Sequence, residues 1–194
     1  MPAESLPAPR GAMVTLAFVF ATTWFVTGAL AAHLPHLLEI AGASTTAAIA
    51  AAALVGPAQV AARLVEFGAL RAVHPLVSAR LAALLHPVGA IILGLFGPGA
   101  ITAFAVLHGA GNGLLTIAKG TLPLAIFGPV GYGLRSGVLG APARATQAAS
   151  PLLFGLLMDY MGVGVLTVSA GLSFGALFAL LMLRAKPTAA AAPA

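Results

Sequence analysis

Gly56-Pro57-Ala58-Gln59-Val60-Ala61-Ala62-Arg63-Leu64-Val65-Glu66-Phe67 places an arginine and a glutamate inside a long apolar run. Read as a helix, Gln59, Arg63 and Glu66 fall at i, i+4 and i+7 and share one face, while Val, Ala, Leu and Phe fill the other. An arginine near the middle of a membrane helix costs about 2.5–3.5 kcal/mol on insertion scales. A chain this apolar needs a partner or a water-filled cavity to hold it there, and Glu66 is the nearest partner. Two uses stay open for the pair: a structural or gating ion pair near one end of the span, or direct work on a solute or a proton.

The surroundings of that stretch fix the class. Only 7% of the 194 residues are charged, against about 25% in ordinary soluble domains. Hydrophobic residues make up 60% and the mean hydropathy is +1.06. Too few charges exist to cover a soluble core, so the expected fold is all-α: a polytopic membrane protein. The net charge of +5 reads as membrane topology rather than nucleic-acid binding, because the bases flank the apolar runs. There is no cysteine, hence no disulfide framework and no thiolate metal site.

Outward from residue 56, six apolar runs are expected as spans: about Ala12 to Ala32, Thr45 to Leu70 (kinked at Pro57), Leu81 to Phe96, Ala100 to Thr121, Ala141 to Met158 and Val163 to Leu183. Gly97-Pro98-Gly99 reads as a tight turn. Pro123 to Leu139 reads as a short surface helix and loop. The resulting division is a tail at 1–11, a transmembrane domain at 12–184 and an Ala/Pro-rich disordered tail at 185–194. A rival for the first run is a signal peptide cut after Ala29-Leu30-Ala31, but the run is long for a signal core. Arg10, Arg71, Arg80, Arg135, Arg144, Arg184 and Lys186 fall on one side, and the loops near Glu39, Pro98 and Asp159 hold no base. The asymmetry predicts a multi-pass protein with both termini cytoplasmic.

His108, Asn112, Thr116 and Lys119 step by 4, 4 and 3 and form one polar stripe on the fourth run. Polar groups in spans face a bundle interior or a cavity. Lys119 could equally snorkel to the interface, and Asn112 could bond a neighbouring helix. Gly109 and Gly113 form a small-xxx-small pair for close helix approach. Thr23, Trp24 and Thr27 give the first run a weakly polar side. His33 and His36, with Glu39 after them, could begin a metal site, but Pro35 and an expected loop position favour ordinary interfacial histidines. His86, next to Pro87, reads as packed rather than functional. No metal site, cofactor or catalytic residue is assigned.

Three stretches carry a family resemblance: Gly56-Pro57-Ala58-Gln59 with Arg63 and Glu66; Gly111-Asn112-Gly113 through Thr121-Leu122-Pro123; and Ala143-Arg144-Ala145-Thr146-Gln147 leading to Pro151-Leu152-Leu153-Phe154-Gly155 and Asp159. Together they resemble the major facilitator superfamily, in particular the C-terminal six-helix half of bacterial members, over nearly all of residues 12–184. The resemblance implies a six-transmembrane-helix bundle built as an inverted 3+3 repeat in a bacterial inner (plasma) membrane. It implies that Thr23, Trp24, His108, Asn112 and Thr116 line a cavity, to which the stripe adds Lys119 as a candidate, and that Gln59, Arg63, Glu66 and Gln147 sit between halves. The superfamily has twelve spans, so the expected working form is a homodimer or a pairing with another six-helix half.

The expected function is secondary active transport of a small organic solute by alternating access. The sequence has no P-loop, so energy would come from a proton or solute gradient. A truncated or scaffolding membrane subunit is the competing expectation. An intramembrane enzyme is disfavoured, because no Ser/His or HExxH pairing is present. The expected partners are the solute and the lipid bilayer, with no nucleic acid.

Overall fold

The computed structural model describes residues 11–70 and 73–183. Seven α-helices carry the chain: α1 Ala12–Ile40, α2 Thr45–Ala53, α3 Val55–Val65, α4 Pro75–Phe96, α5 Ile101–Phe127, α6 Tyr132–Met161 and α7 Val165–Met182. A π-helical turn, Glu66–Leu70, extends α3. Two 3-10 turns, Gly97–Ala100 and Gly162–Gly164, join α4 to α5 and α6 to α7.

The expectation of a six-transmembrane-helix bundle with an inverted 3+3 repeat is corrected. Four helical segments, not six, are long and apolar enough to cross a membrane: Ala12–Ile40, Thr45–Ala69, Pro75–Phe127 and Tyr132–Met182. Helical backbone bonding persists where loops were expected. A 3-10 turn with no intervening loop joins α4 to α5 and α6 to α7, so runs read as separate spans belong to two long segments that change direction within them. The first run continues through Pro35 to Ile40, which puts His33, His36 and Glu39 on a helix rather than in a loop. The stretch read as surface helix and loop is divided between the end of α5 and the start of α6. Residues 1–10, 71–72 and 184–194, and with them Arg10, Arg71, Arg184 and Lys186, lie outside the described residues.

The expected kink at Pro57 falls upstream of the proline. Pro57 has no N–H to give the carbonyl four residues earlier, and its ring crowds that carbonyl. α2 accordingly ends at Ala53 and α3 begins at Val55. The Ser44 hydroxyl caps the other end of α2, accepting from the Ala47 N–H at 3.3 Å.

Both 3-10 connections open on a glycine at φ +57, Gly97 and Gly162, a conformation that side chains disfavour. They gather at one end of the molecule. Pro98 comes within 3.6 Å of a Cβ placed on Gly42, and Ile40 within 3.9 Å of one placed on Gly162. At the opposite end two arginines tie down helix ends. Arg80, on α4, donates to Leu180 O (3.1 Å) and Leu183 O (2.8 Å) at the end of α7. Arg135 donates to Phe127 O and Val130 O, each at 2.9 Å, just after α5. Both satisfy carbonyls that a helix terminus leaves open. Arg80, expected as a loop base, is therefore a helix-capping residue.

α1 packs most extensively on α6 and runs parallel to it, as Thr146 Oγ1 on Ala21 O and His33 on Pro151 O show. α5 runs parallel to α3 and antiparallel to α4. The glycines of α5 permit these approaches: Cβ atoms on Gly109 and Gly113 would lie 2.6 and 2.5 Å from Val55 O and Gln59 O, and one on Gly111 would lie 2.9 Å from Ala82 O. Two apolar cores result. One, near the glycine turns, contains Leu30, Leu37, Leu93, Phe104 and Phe154. The other, near the arginine caps, contains Leu16, Phe20, Leu76, Leu122 and Leu180. Residues of α3 are half-buried or exposed, with Val60 and Leu64, and Phe67 on the π-helical turn after it, turned outward.

Candidate functional site

Between the two cores lies a layer of buried polar side chains that includes Thr23, His86, His108, Ser169 and Ser173. Polar groups removed from water and lipid-facing surface must satisfy one another. Here they do so in a row crossing four helices. Thr27 Oγ1 on α1 donates to Asn112 Oδ1 on α5 at 2.7 Å. The Asn112 amide donates from Nδ2 to His108 Nε2 at 3.1 Å. His108 and His86 face each other through Nδ1 atoms 3.2 Å apart, and His86 Nε2 reaches Ser169 Oγ on α7 at 3.0 Å.

Donor counting orients the row. Because His108 Nε2 accepts from Asn112, its hydrogen is on Nδ1, which donates to His86 Nδ1. His86 then carries its hydrogen on Nε2 and donates to Ser169, whose own hydroxyl donates to Leu166 O at 3.1 Å. Phe104 closes one side of the pair, its ring centroid 5.6 Å from His86 and 6.1 Å from His108.

The row opens at one end on a cavity of about 250 Å³ lined by Thr27, Leu34, Pro35, Gln59, His108 and Asn112. A second cavity, of about 210 Å³, lies between α1, α5 and α6 and is lined by Phe20, Thr116, Lys119, Tyr132, Ser136 and Leu139. The expected stripe is thus divided: His108 and Asn112 line the first cavity, Thr116 and Lys119 the second. Trp24 stands beside the second, with Lys119 Nζ 4.4 Å and the Arg144 guanidinium 5.3 Å from its ring centroid. Thr23 is buried, its hydroxyl donating to Val19 O at 2.8 Å.

The other expected site residues take different places. Arg63 and Glu66 are not an ion pair; among the described residues the pair within bonding distance is His36 with Glu39, at 3.6 Å. Arg63 instead donates to Gln59 Oε1 and Thr116 Oγ1, each at 3.4 Å, bringing α3 to α5. Its Nε and Glu66 Oε2 are buried without a partner. Gln59 lines the first cavity, and Gln147 Oε1 accepts from Arg144 at 3.1 Å. His33 donates through Nε2 to Pro151 O at 2.8 Å, so it is a helix-to-helix contact.

His86, Ser169 and Thr27 belong to the row although the sequence did not single them out for it. A histidine in an apolar run, and serines 169 and 173 at helical spacing in another, were the available signals. Among the described residues no group of three His, Cys, Asp or Glu could hold a metal ion. In comparison with known proteins, no family model matches the chain and no curated protein matches it.

Proposed function

We propose that this chain is a secondary membrane transporter, and not an enzyme, which carries a small organic solute and works as a homodimer. The observation that carries the reading is the hydrogen-bonded row Thr27–Asn112–His108–His86–Ser169, which lies between two apolar cores and ends on an open cavity. Polar groups at this depth are costly and mark pathways for solutes or ions. The stretches that resemble the major facilitator superfamily support the same reading, and a proton or solute gradient would drive it. The cavity is lined by α1, α2, α3 and α5 and is open to the outside, and a second copy would close it. The capping arginines Arg80 and Arg135 share one end while Glu39 lies toward the other. Their end is proposed as the cytoplasmic one, with both termini there, in a bacterial inner membrane.

The test is uptake by proteoliposomes of a panel of small solutes under a proton gradient, with Asn112→Ala beside the unaltered protein. Gradient-dependent uptake that falls at least tenfold in the variant supports the reading. A chain that takes up none of the panel and stays monomeric in nanodiscs defeats it.

One observation favours a second reading, a scaffolding subunit without transport of its own. α3 has no fully buried residue, and it and the π-helical turn after it turn Val60, Leu64 and Phe67 outward, a surface that another membrane protein could cover. Co-purification of a different polytopic chain in fixed ratio would select it.

A further inference from the structure

Lys119 and Arg144 both stand within cation–π range of one indole ring, that of Trp24. Two cations drawn to one point repel each other, and a chain normally answers with a carboxylate. None is at hand. Glu39 is engaged with His36 near the glycine turns, Asp159 lies at the C-terminal end of α6 toward the same turns, and Glu66, on the turn after α3 at about the level of Lys119, forms no ion pair among the described residues. Arg144 is held by a neutral amide, that of Gln147.

The cavity of about 210 Å³ at this point adds a donor. Ser136 Oγ, on its wall, is buried without a hydrogen-bond partner. Tyr132, beside it, is anchored by its hydroxyl on Gly120 O at 3.0 Å. Thr116, on the same wall, accepts from Arg63, which brings a third cation to the far side. Cations with no ion-pair partner among the described residues, an open hydroxyl and an aromatic floor make a receptor for an anion.

We propose that the cleft between α1, α5 and α6 binds a small anion bearing a carboxylate or a phosphate, held by Lys119 and Arg144 beside Trp24 and by the Ser136 hydroxyl. As the solute of the proposed transport, that anion rests on the transport reading; its binding does not. Two sources share the chemistry, a soluble organic anion and an anionic lipid headgroup, and the transport reading favours the first.

Trp24 is the single tryptophan of the chain, so its fluorescence reports on the site alone. The protein is placed in phosphatidylcholine nanodiscs and titrated with succinate, with inorganic phosphate and with the neutral succinamide. A saturable change with either anion and none with succinamide is expected. The affinity should fall about tenfold or more in Lys119→Gln and in Arg144→Gln, as the loss of one charge-assisted contact implies. Lys119→Arg, which keeps the charge, should retain most of it.

A second arm replaces part of the phosphatidylcholine with phosphatidylglycerol and omits the soluble anion. A Trp24 change found only there, and lost in the same variants, keeps the anion chemistry but overturns the soluble solute. No saturable change in either arm, or equal responses from folded Lys119→Gln and Arg144→Gln, overturns the site itself. Anion binding without uptake by proteoliposomes would leave the site standing and remove the transport reading.

Discussion

The imidazoles of His86 and His108 meet nitrogen to nitrogen, Nδ1 to Nδ1 at 3.2 Å, where α4 crosses α5. One of the two nitrogens carries a hydrogen and the other a lone pair. The contact is therefore one-directional, and each ring depends on its far nitrogen being engaged as well. Asn112 does this for His108 and Ser169 for His86.

Replacing either histidine strands the other. His86→Ala leaves a buried His108 nitrogen unpaired and opens a gap beside Phe104, for a cost of about 1–3 kcal/mol from the unpaired group and more from the gap. His108→Ala leaves Asn112 and His86 in the same condition. The double variant is expected to lose less than the sum of the singles, with a coupling of about 0.5–3 kcal/mol. Thermal midpoints of the four proteins in one detergent check this, and strict additivity would sever the row.

Two glycines should respond in opposite ways. A Cβ on Gly113 would lie 2.5 Å from Gln59 O, so Gly113→Ala must push α3 off α5, at a cost of about 1–3 kcal/mol. Gly94, inside α4, has nothing within 4 Å of its Cβ position. Gly94→Ala should leave stability unchanged or raise it by up to about 1 kcal/mol. Thermal unfolding of the two variants side by side decides whether helix contact or general glycine loss governs.

Arg80→Ala removes the donor that holds Leu180 O and Leu183 O. The last turn of α7 should fray, with amide hydrogen exchange there at least tenfold faster and a global cost of about 1.5–3 kcal/mol. Arg80→Lys, a single point donor, should recover part of the protection. Unchanged exchange at that end would show that the cap is dispensable.

Ser150 and Pro151 form a compensating pair. Pro151 has no N–H for Gln147 O, and the Ser150 hydroxyl bonds that carbonyl instead at 2.8 Å. Ser150→Ala should cost about 1–2 kcal/mol. Adding Pro151→Ala restores a backbone donor and should return part of the loss. Unfolding of the single and double variants provides the comparison.

Much of this was legible in the chain before its structure was known. Apolar runs, read by length and composition, gave helices in the right regions. The step of 4, 4 and 3 from His108 to Lys119 gave one face of α5, because the helical period acts within an element. What lies opposite that face was not legible: no spacing rule relates Thr27, His86 and Ser169, which come together only by packing. The Arg63–Glu66 pair failed for a related reason. Proximity in sequence offered Glu66, but packing α3 beside α5 offered Thr116, and Gln59 lay one helical turn back. The span count failed because Gly-Pro-Gly was taken as an interruption, whereas the backbone turns there through a 3-10 helix.

The orientation of the histidine row makes it a polarised wire. Reversing it would require the Asn112 amide to turn over and both rings to exchange their hydrogens together. The ends permit this, since Thr27 has Thr23 O at 2.9 Å as another acceptor and Ser169 could turn its hydrogen from Leu166 O to His86. Two arrangements of hydrogens thus fit one arrangement of heavy atoms, and no single group can switch alone. Whatever touches Asn112 at the cavity wall therefore has a direct line to α7 on the far side of the molecule.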